Sequence, residues 1–199
     1  MAMEWAHPAE VEVHLQALVA EIVVCTQCPL GFSRRNAVPG EGPPGAQLFI
    51  VGEAPGASED ASGLPFVGAS GRLLRRELAA VGLDPKAIFI TSVVKCRPPG
   101  NRQPRIDEVS TCTSLYLARQ IALQQPRALV ALGSVAAGAL LAGEVKITRE
   151  HGTWRQDYDL TPQTLPVYLC YHPAAALRNE RWRVEFREDL QRLAEYLRP

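Results

Sequence analysis

Apolar positions recur along this chain in two rhythms, and their alternation lays out the elements. Val11, Leu15, Leu18 and Ile22 fall at steps of four, three and four, one face of an amphipathic helix over residues 9–24. Leu48–Val51 is an unbroken apolar run, the mark of a buried strand. Leu73, Leu74, Leu78 and Val81 return to helical spacing over 70–81, with Gly82 placed as a stop. A second strand is predicted at 87–94, then a helix over 106–125 whose Asp107 and Glu108 suit the positive end of its dipole. A third strand at 128–132, a small-residue helix to about 141, a fourth strand at 165–171 and a closing helix at 184–197 complete the pattern. Strands alternating with helices predict an α/β fold, a three-layer α/β/α sandwich around a mostly parallel four-stranded sheet. Neither a repeat nor a linker divides residues 1–199, so one domain is expected.

In such sheets ligands sit outside the carboxyl ends of the strands. The segments leaving those ends are 52–68, 95–105, Gly133-Ser134 and 172–179. The first, GEAPGASEDASGLPFVG, is rich in Gly and Pro, and its length suits the floor of a site. It is a poor phosphate loop: Gly-Lys-Ser/Thr is missing, and Glu53 would repel a phosphate. A carboxylate there is better suited to holding water or stabilising positive charge. Phe66 reads equally as core or as an aromatic face for a flat ring. His172, by its place after the fourth strand, is either a structural residue or a catalyst.

Composition narrows the classes. The 21 Lys+Arg balance the 21 Asp+Glu, so there is no global pull toward nucleic acid or an anionic membrane. Lys95, Arg97, Arg102 and Arg105 form the local exception, either a solvated loop or a phosphate platform. No apolar run approaches the roughly 18–20 residues of a membrane span. Residues 1–12 have neither a basic n-region nor an apolar h-region, and a cytoplasmic location is expected. Five cysteines are present; an odd count without a secretion signal argues against a disulfide framework. Cys25-x-x-Cys28 offers two thiolates to one metal centre, and Cys96 and Cys112 would complete a set of four. Zinc and iron–sulfur both suit four thiolates, and chance core cysteines are the alternative. Cys170, inside an apolar strand, reads as a small core residue.

Together Gly52-Glu-Ala-Pro-Gly56, Glu59-Asp60, Gly63-x-Pro65-Phe-Val-Gly68, Val94-Lys-Cys-Arg-Pro-Pro99 and His172-Pro173-Ala174 with Leu177-Arg178-Asn179 resemble the family 4, iron–sulfur uracil-DNA glycosylases, in that family's order. The likeness runs from Cys25 to about Arg187. It implies a [4Fe-4S] cluster on Cys25, Cys28, Cys96 and Cys112, in a structural role. It implies DNA containing uracil or other deaminated bases as partner, and hydrolysis of the N-glycosidic bond to leave an abasic site. A flipped base would stack on Phe66, with the backbone of Gly52, Glu53 and Ala54 at its edge. Glu53 matches the residue orienting the attacking water, with Glu59 near enough to assist, and His172 the donor to the uracil O2. Lys95, Arg97, Arg178 and Asn179 are expected at the DNA.

One position departs from the pattern. The family typically has Asn four residues before the third cysteine, where this chain has Ser92. A hydroxyl makes fewer simultaneous bonds to a base than a carboxamide, so Ser92 predicts altered base selectivity. The compact, histidine-free stretch from Lys95 to Cys112 favours hydrolysis over covalent capture. Two rival readings are a glycosylase for other deaminated bases and a non-catalytic iron–sulfur DNA-binding protein; retention of Glu53 and His172 speaks against the second. A monomer is expected.

Overall fold

A computed structural model describes residues 8–141, 144–160 and 164–198. Part of the stretch read for a leader, residues 1–7, lies outside them. Helix α1 (Pro8–Val24) leads into the turn α2 (Leu30–Ser33), and a long loop reaches β1 (Leu48–Gly52). Then follow α3 (Ala57–Ser62), α4 (Ala69–Ala80), β2 (Phe89–Ser92), α5 (Ile106–Cys112), α6 (Ala118–Gln124), β3 (Ala128–Leu132), α7 (Ser134–Leu140) and α8 (Ile147–Glu150). The hairpin strand β4 (Trp154–Arg155), β5 (Val167–Cys170), α9 (Pro173–Arg178) and α10 (Glu180–Leu197) close the chain.

The sheet has five strands in the order β2-β1-β3-β5-β4. The first four in that order run parallel, and β4 pairs antiparallel with β5. The expected four-stranded sheet is therefore corrected to five. Two residues are too few to write an alternating pattern, and Trp154 and Arg155 find their partners only across the sheet edge. The predicted 106–125 helix is likewise divided: a π-helical turn, Thr113–Leu117, separates α5 from α6. The closing helix starts four residues earlier than its periodicity suggests, because Asn179 caps it.

Along β1 successive side chains feed opposite layers. Phe49 and Val51 join a core with α1, Leu117, Ile121 and Ala137; Leu48 and Ile50 join one with α4, Phe186 and Leu190. Burial on both faces explains why the strand shows no polar alternation. The same parallel ladder brings the carboxyl ends of β1 and β2 level, with Gly52 opposite Ser92.

Candidate active site

The segment after β1 is held by one carboxylate. Glu59, in the first turn of α3, accepts hydrogen bonds from the backbone N–H of Gly56 (3.1 Å), Val67 (2.9 Å) and Gly68 (2.7 Å). These pin both ends of the loop to its own helix, and the carboxylate is buried at 8% exposure. Small residues make the arrangement possible, since a Cβ on Gly56 or Gly68 would meet the Glu59 oxygens at 2.8 and 3.1 Å. Glu59, expected to assist catalysis, lines the cleft and also fastens the loop through these three main-chain bonds.

Phe66 sits in the pinned loop with φ of 52°. A non-glycine residue holds this left-handed conformation only when its surroundings enforce it. Gly71 lets the backbone close in: a Cβ there would lie 2.0 Å from the Phe66 carbonyl oxygen. Gly52 receives the ring, since its own Cβ would fall 2.5 Å from Phe66 Cζ and 3.4 Å from Ser92 Oγ. The Phe66 and His172 rings are 6.2 Å apart between centroids and tilted by 36°. Gly133, at φ of 88°, leaves the space into which the His172 Cβ fits.

Glu53, Ala54, Glu59, Phe66, Ser92, His172 and Arg178 all line one cleft of about 370 Å³, within the ~300–1,000 Å³ of small-molecule sites. The predicted residues Glu53, Phe66 and His172 thus share a single cavity at the carboxyl end of the sheet. Glu53 is half-buried, and desolvation raises its carboxyl above the usual value. The His172 Nδ1 accepts the Ala174 N–H at 3.2 Å. That bond places the proton of the neutral ring on Nε2, leaving a donor. Burial above all, with Arg178 nearby, lowers its pKa to about 4, so the ring stays neutral. Asn101 and Arg102 also line this cleft. Sequence reading missed Asn101, and the basic run had marked Arg102 without placing it.

The expected DNA contacts divide. Arg178 is exposed at the cleft rim. Arg97 donates to Asn101 Oδ1 at 2.7 Å and lies 4.0 Å from Asp60. Arg102 forks onto the buried Glu108, with bonds of 2.8 and 2.7 Å. Asn179 Oδ1 is taken by the Arg181 and Trp182 N–H groups as the cap of α10. Lys95 is 1% exposed, donating to Thr91 Oγ1 (2.7 Å) and the Ser92 carbonyl (2.6 Å). The expectation that Lys95 meets a phosphate is therefore corrected: the backbone after β2 turns its side chain inward.

On the far side of Lys95, Cys25, Cys28, Cys96 and Cys112 line a second, small cavity. The end of α1, the turn into α2, the segment after β2 and the end of α5 each bring a thiol there. Donors already point at the sulfurs: Gln27 N–H to Cys25 (3.5 Å), Lys95 N–H to Cys112 (3.3 Å) and Arg34 to Cys96 (3.2 Å). Arg34 gave no signal in the sequence, being one of two adjacent arginines in a loop. Burial pushes the Cys112 thiol up to about 12. Such a group ionises only beside compensating positive charge, which a metal centre supplies. Cys170, by contrast, is fully buried in β5, as a core residue should be.

Comparison with known proteins gives this geometry a family. Residues 39–198 match the model of the uracil DNA glycosylase superfamily. The Type-4 uracil-DNA glycosylase of Pyrobaculum aerophilum is 46% identical over 179 residues, 88% of this chain and 91% of that protein. Those of Sulfurisphaera tokodaii and Thermotoga maritima are each 40% identical, covering 91% and 82% of this chain and 84% and 88% of their own. With such matches spanning most of its length, the chain belongs to the uracil-DNA glycosylase superfamily, alongside its type 4 members.

Proposed function

We propose that this protein hydrolyses the N-glycosidic bond of uracil in DNA, leaving an abasic site for repair. The observation that carries the reading is the shared cleft of Glu53, Phe66 and His172, with His172 neutral and its Nε2–H free to donate. An extruded uracil stacks on Phe66, its edge against the backbone at Gly52 to Ala54, where small residues allow close approach. As the bond from C1′ to the base nitrogen breaks, its electron pair leaves with uracil. Negative charge gathers on O2, and the His172 Nε2–H stabilises it by donating a hydrogen bond without losing the proton. The sugar left behind is cation-like. Glu53 faces it as a carboxylate, orients water toward C1′ and receives the proton that water gives up. Arg178 at the rim contacts the strand, and Arg97, bonded to the cleft-lining Asn101, is placed to contact a phosphate.

Cys25, Cys28, Cys96 and Cys112 would hold a [4Fe-4S] cluster. When bound, it supplies iron–thiolate bonds that crosslink helix ends to the segment after β2, a structural service with no open coordination site for substrate. The donor set fits, with four thiols on one cavity and N–H groups already directed at three of them.

Incubation with single- and double-stranded uracil oligonucleotides, followed by alkaline cleavage, tests the activity. Strand scission at uracil is expected from the native protein and loss of it from Glu53→Gln. Tight binding without scission would favour the non-catalytic reading. A second reading, release of other deaminated bases, is favoured by Ser92 at the cleft wall. A brown preparation with iron–thiolate absorption is expected; a colourless, zinc-bearing one would overturn the cluster.

A further inference from the structure

The ammonium of Lys95 is fully buried, and both acceptors it uses are neutral: a hydroxyl and a carbonyl. Among the described residues no carboxylate forms an ion pair with it. An ammonium so placed is costly unless other negative charge lies near. With a metal centre bound, the negative groups at hand would be the sulfurs. Lys95 lines the cavity of the four cysteines, and its backbone N–H donates to Cys112. Arg34 donates to Cys96 Sγ and is clamped by the carbonyls of Cys25 (2.7 Å) and Val23 (2.6 Å). Four thiolates around a divalent core leave about two negative charges in excess, and these are two cations.

Lys95 also faces the other way. The Ser92 carbonyl it holds belongs to the residue opposite Gly52, on which the Phe66 ring rests. Its second acceptor is fixed too. Thr91 Oγ1 donates to the Pro39 carbonyl (2.8 Å), which Gln120 Nε2 also bonds (2.8 Å). The ammonium therefore cannot shift toward the thiolates without loosening the cleft wall.

We propose that Arg34 and Lys95 are the internal counter-charges of the four-thiolate centre, and that Lys95 is a positioning residue tying that centre to the substrate cleft through Ser92. This rests on the cluster reading given under Proposed function. It explains why the chain buries a lysine behind a cleft that binds a neutral base.

Lifetimes of the iron–thiolate absorption in excess chelator, together with equilibrium binding of free uracil, test it on the full chain. Failure of the cluster reading would show in the native protein, by absence of iron; failure of this proposal shows only between native and variant. Lys95→Met is expected to shorten the lifetime about tenfold and weaken uracil about tenfold, the scale of one charge-assisted hydrogen bond. Lys95→Arg is expected to restore the lifetime, and Arg34→Met to shorten it. A native lifetime in both methionine variants overturns the counter-charge, and native uracil binding in Lys95→Met overturns the tie. Should Lys95→Met fail to fold, Thr91→Val decides. It keeps the charge and the bond to the Ser92 carbonyl but removes the hydroxyl that fixes the ammonium beside it. Uracil binding weakened less than in a severed tie, about threefold, is therefore expected with the iron retained, and native binding refutes the fixed position of the ammonium on which the link depends.

Discussion

The Phe66 ring lies directly on Gly52, so that a single methyl group at Gly52 would come within 2.5 Å of Phe66 Cζ. The last residue of β1 and the aromatic face of the cleft are thus fitted to each other across fourteen positions of sequence. Gly52→Ala is expected to displace the ring, with an overpacking cost of about 1–3 kcal/mol and a comparable loss in excision. Single-turnover rates beside thermal melting test this; a native excision rate would show that ring placement is not needed.

Glu59 makes three main-chain bonds that hold the loop carrying Phe66. Glu59→Gln keeps the shape but puts an N–H where an acceptor stood, facing another donor. Loss of about 1–3 kcal/mol is expected, read as a lower melting temperature and weaker uracil binding. A variant with native melting but no excision would return Glu59 to a direct catalytic role.

On the proposed mechanism, the acid limb of activity is expected to follow Glu53. Desolvation raises its pKa above the usual 4.5, so the required carboxylate is lost as pH falls through that raised value. His172, with its pKa lowered to about 4 from 6.5, is neutral throughout the range where a free histidine titrates. Single-turnover excision is therefore expected to show no histidine inflection near 6.5, and an inflection there that Glu53→Asp leaves unmoved would contradict this assignment. The same shift has a stability consequence. The unfolded chain binds a proton below 6.5 that the folded chain refuses until about 4, so the contribution of His172 is complete above 6.5 and declines as pH falls toward 4.

Ser92 presents a hydroxyl at the cleft wall, where the resemblance to family 4 implies a carboxamide. Ser92→Asn is expected to raise the uracil rate relative to other deaminated bases, by the about 1–3 kcal/mol of a regained hydrogen-bond pair. Competition between uracil and hypoxanthine oligonucleotides measures it. Equal preference in both proteins would remove Ser92 as a determinant of selectivity.

Much of this molecule was legible before folding, because burial leaves periodic marks. The heptad-like spacing of Val11, Leu15, Leu18 and Ile22 and the apolar runs of β1 and β3 follow from being covered by neighbouring layers. The strand-helix alternation in turn located the cleft at the carboxyl ends, and Glu53, Phe66 and His172 do meet there. Trp154–Arg155 left no mark, since two residues at a sheet edge carry no period.

Direction was harder to read than position. Lys95 sits in a run of basic residues that looks like a DNA contact, yet its side chain turns under β2 to Thr91 and Ser92. Asn179 follows a motif expected at DNA, yet its oxygen caps α10.

The order and type of the main strands and helices, the segments that carry the chemistry and the four thiols were set by the chain itself, because hydrophobic period and residue identity are local. Which way each polar side chain faces, what Glu59 fastens and what charge Lys95 answers were decided only by the tertiary structure. Those outcomes depend on donors and acceptors far apart in sequence, which pack against one another only once the sheet has assembled.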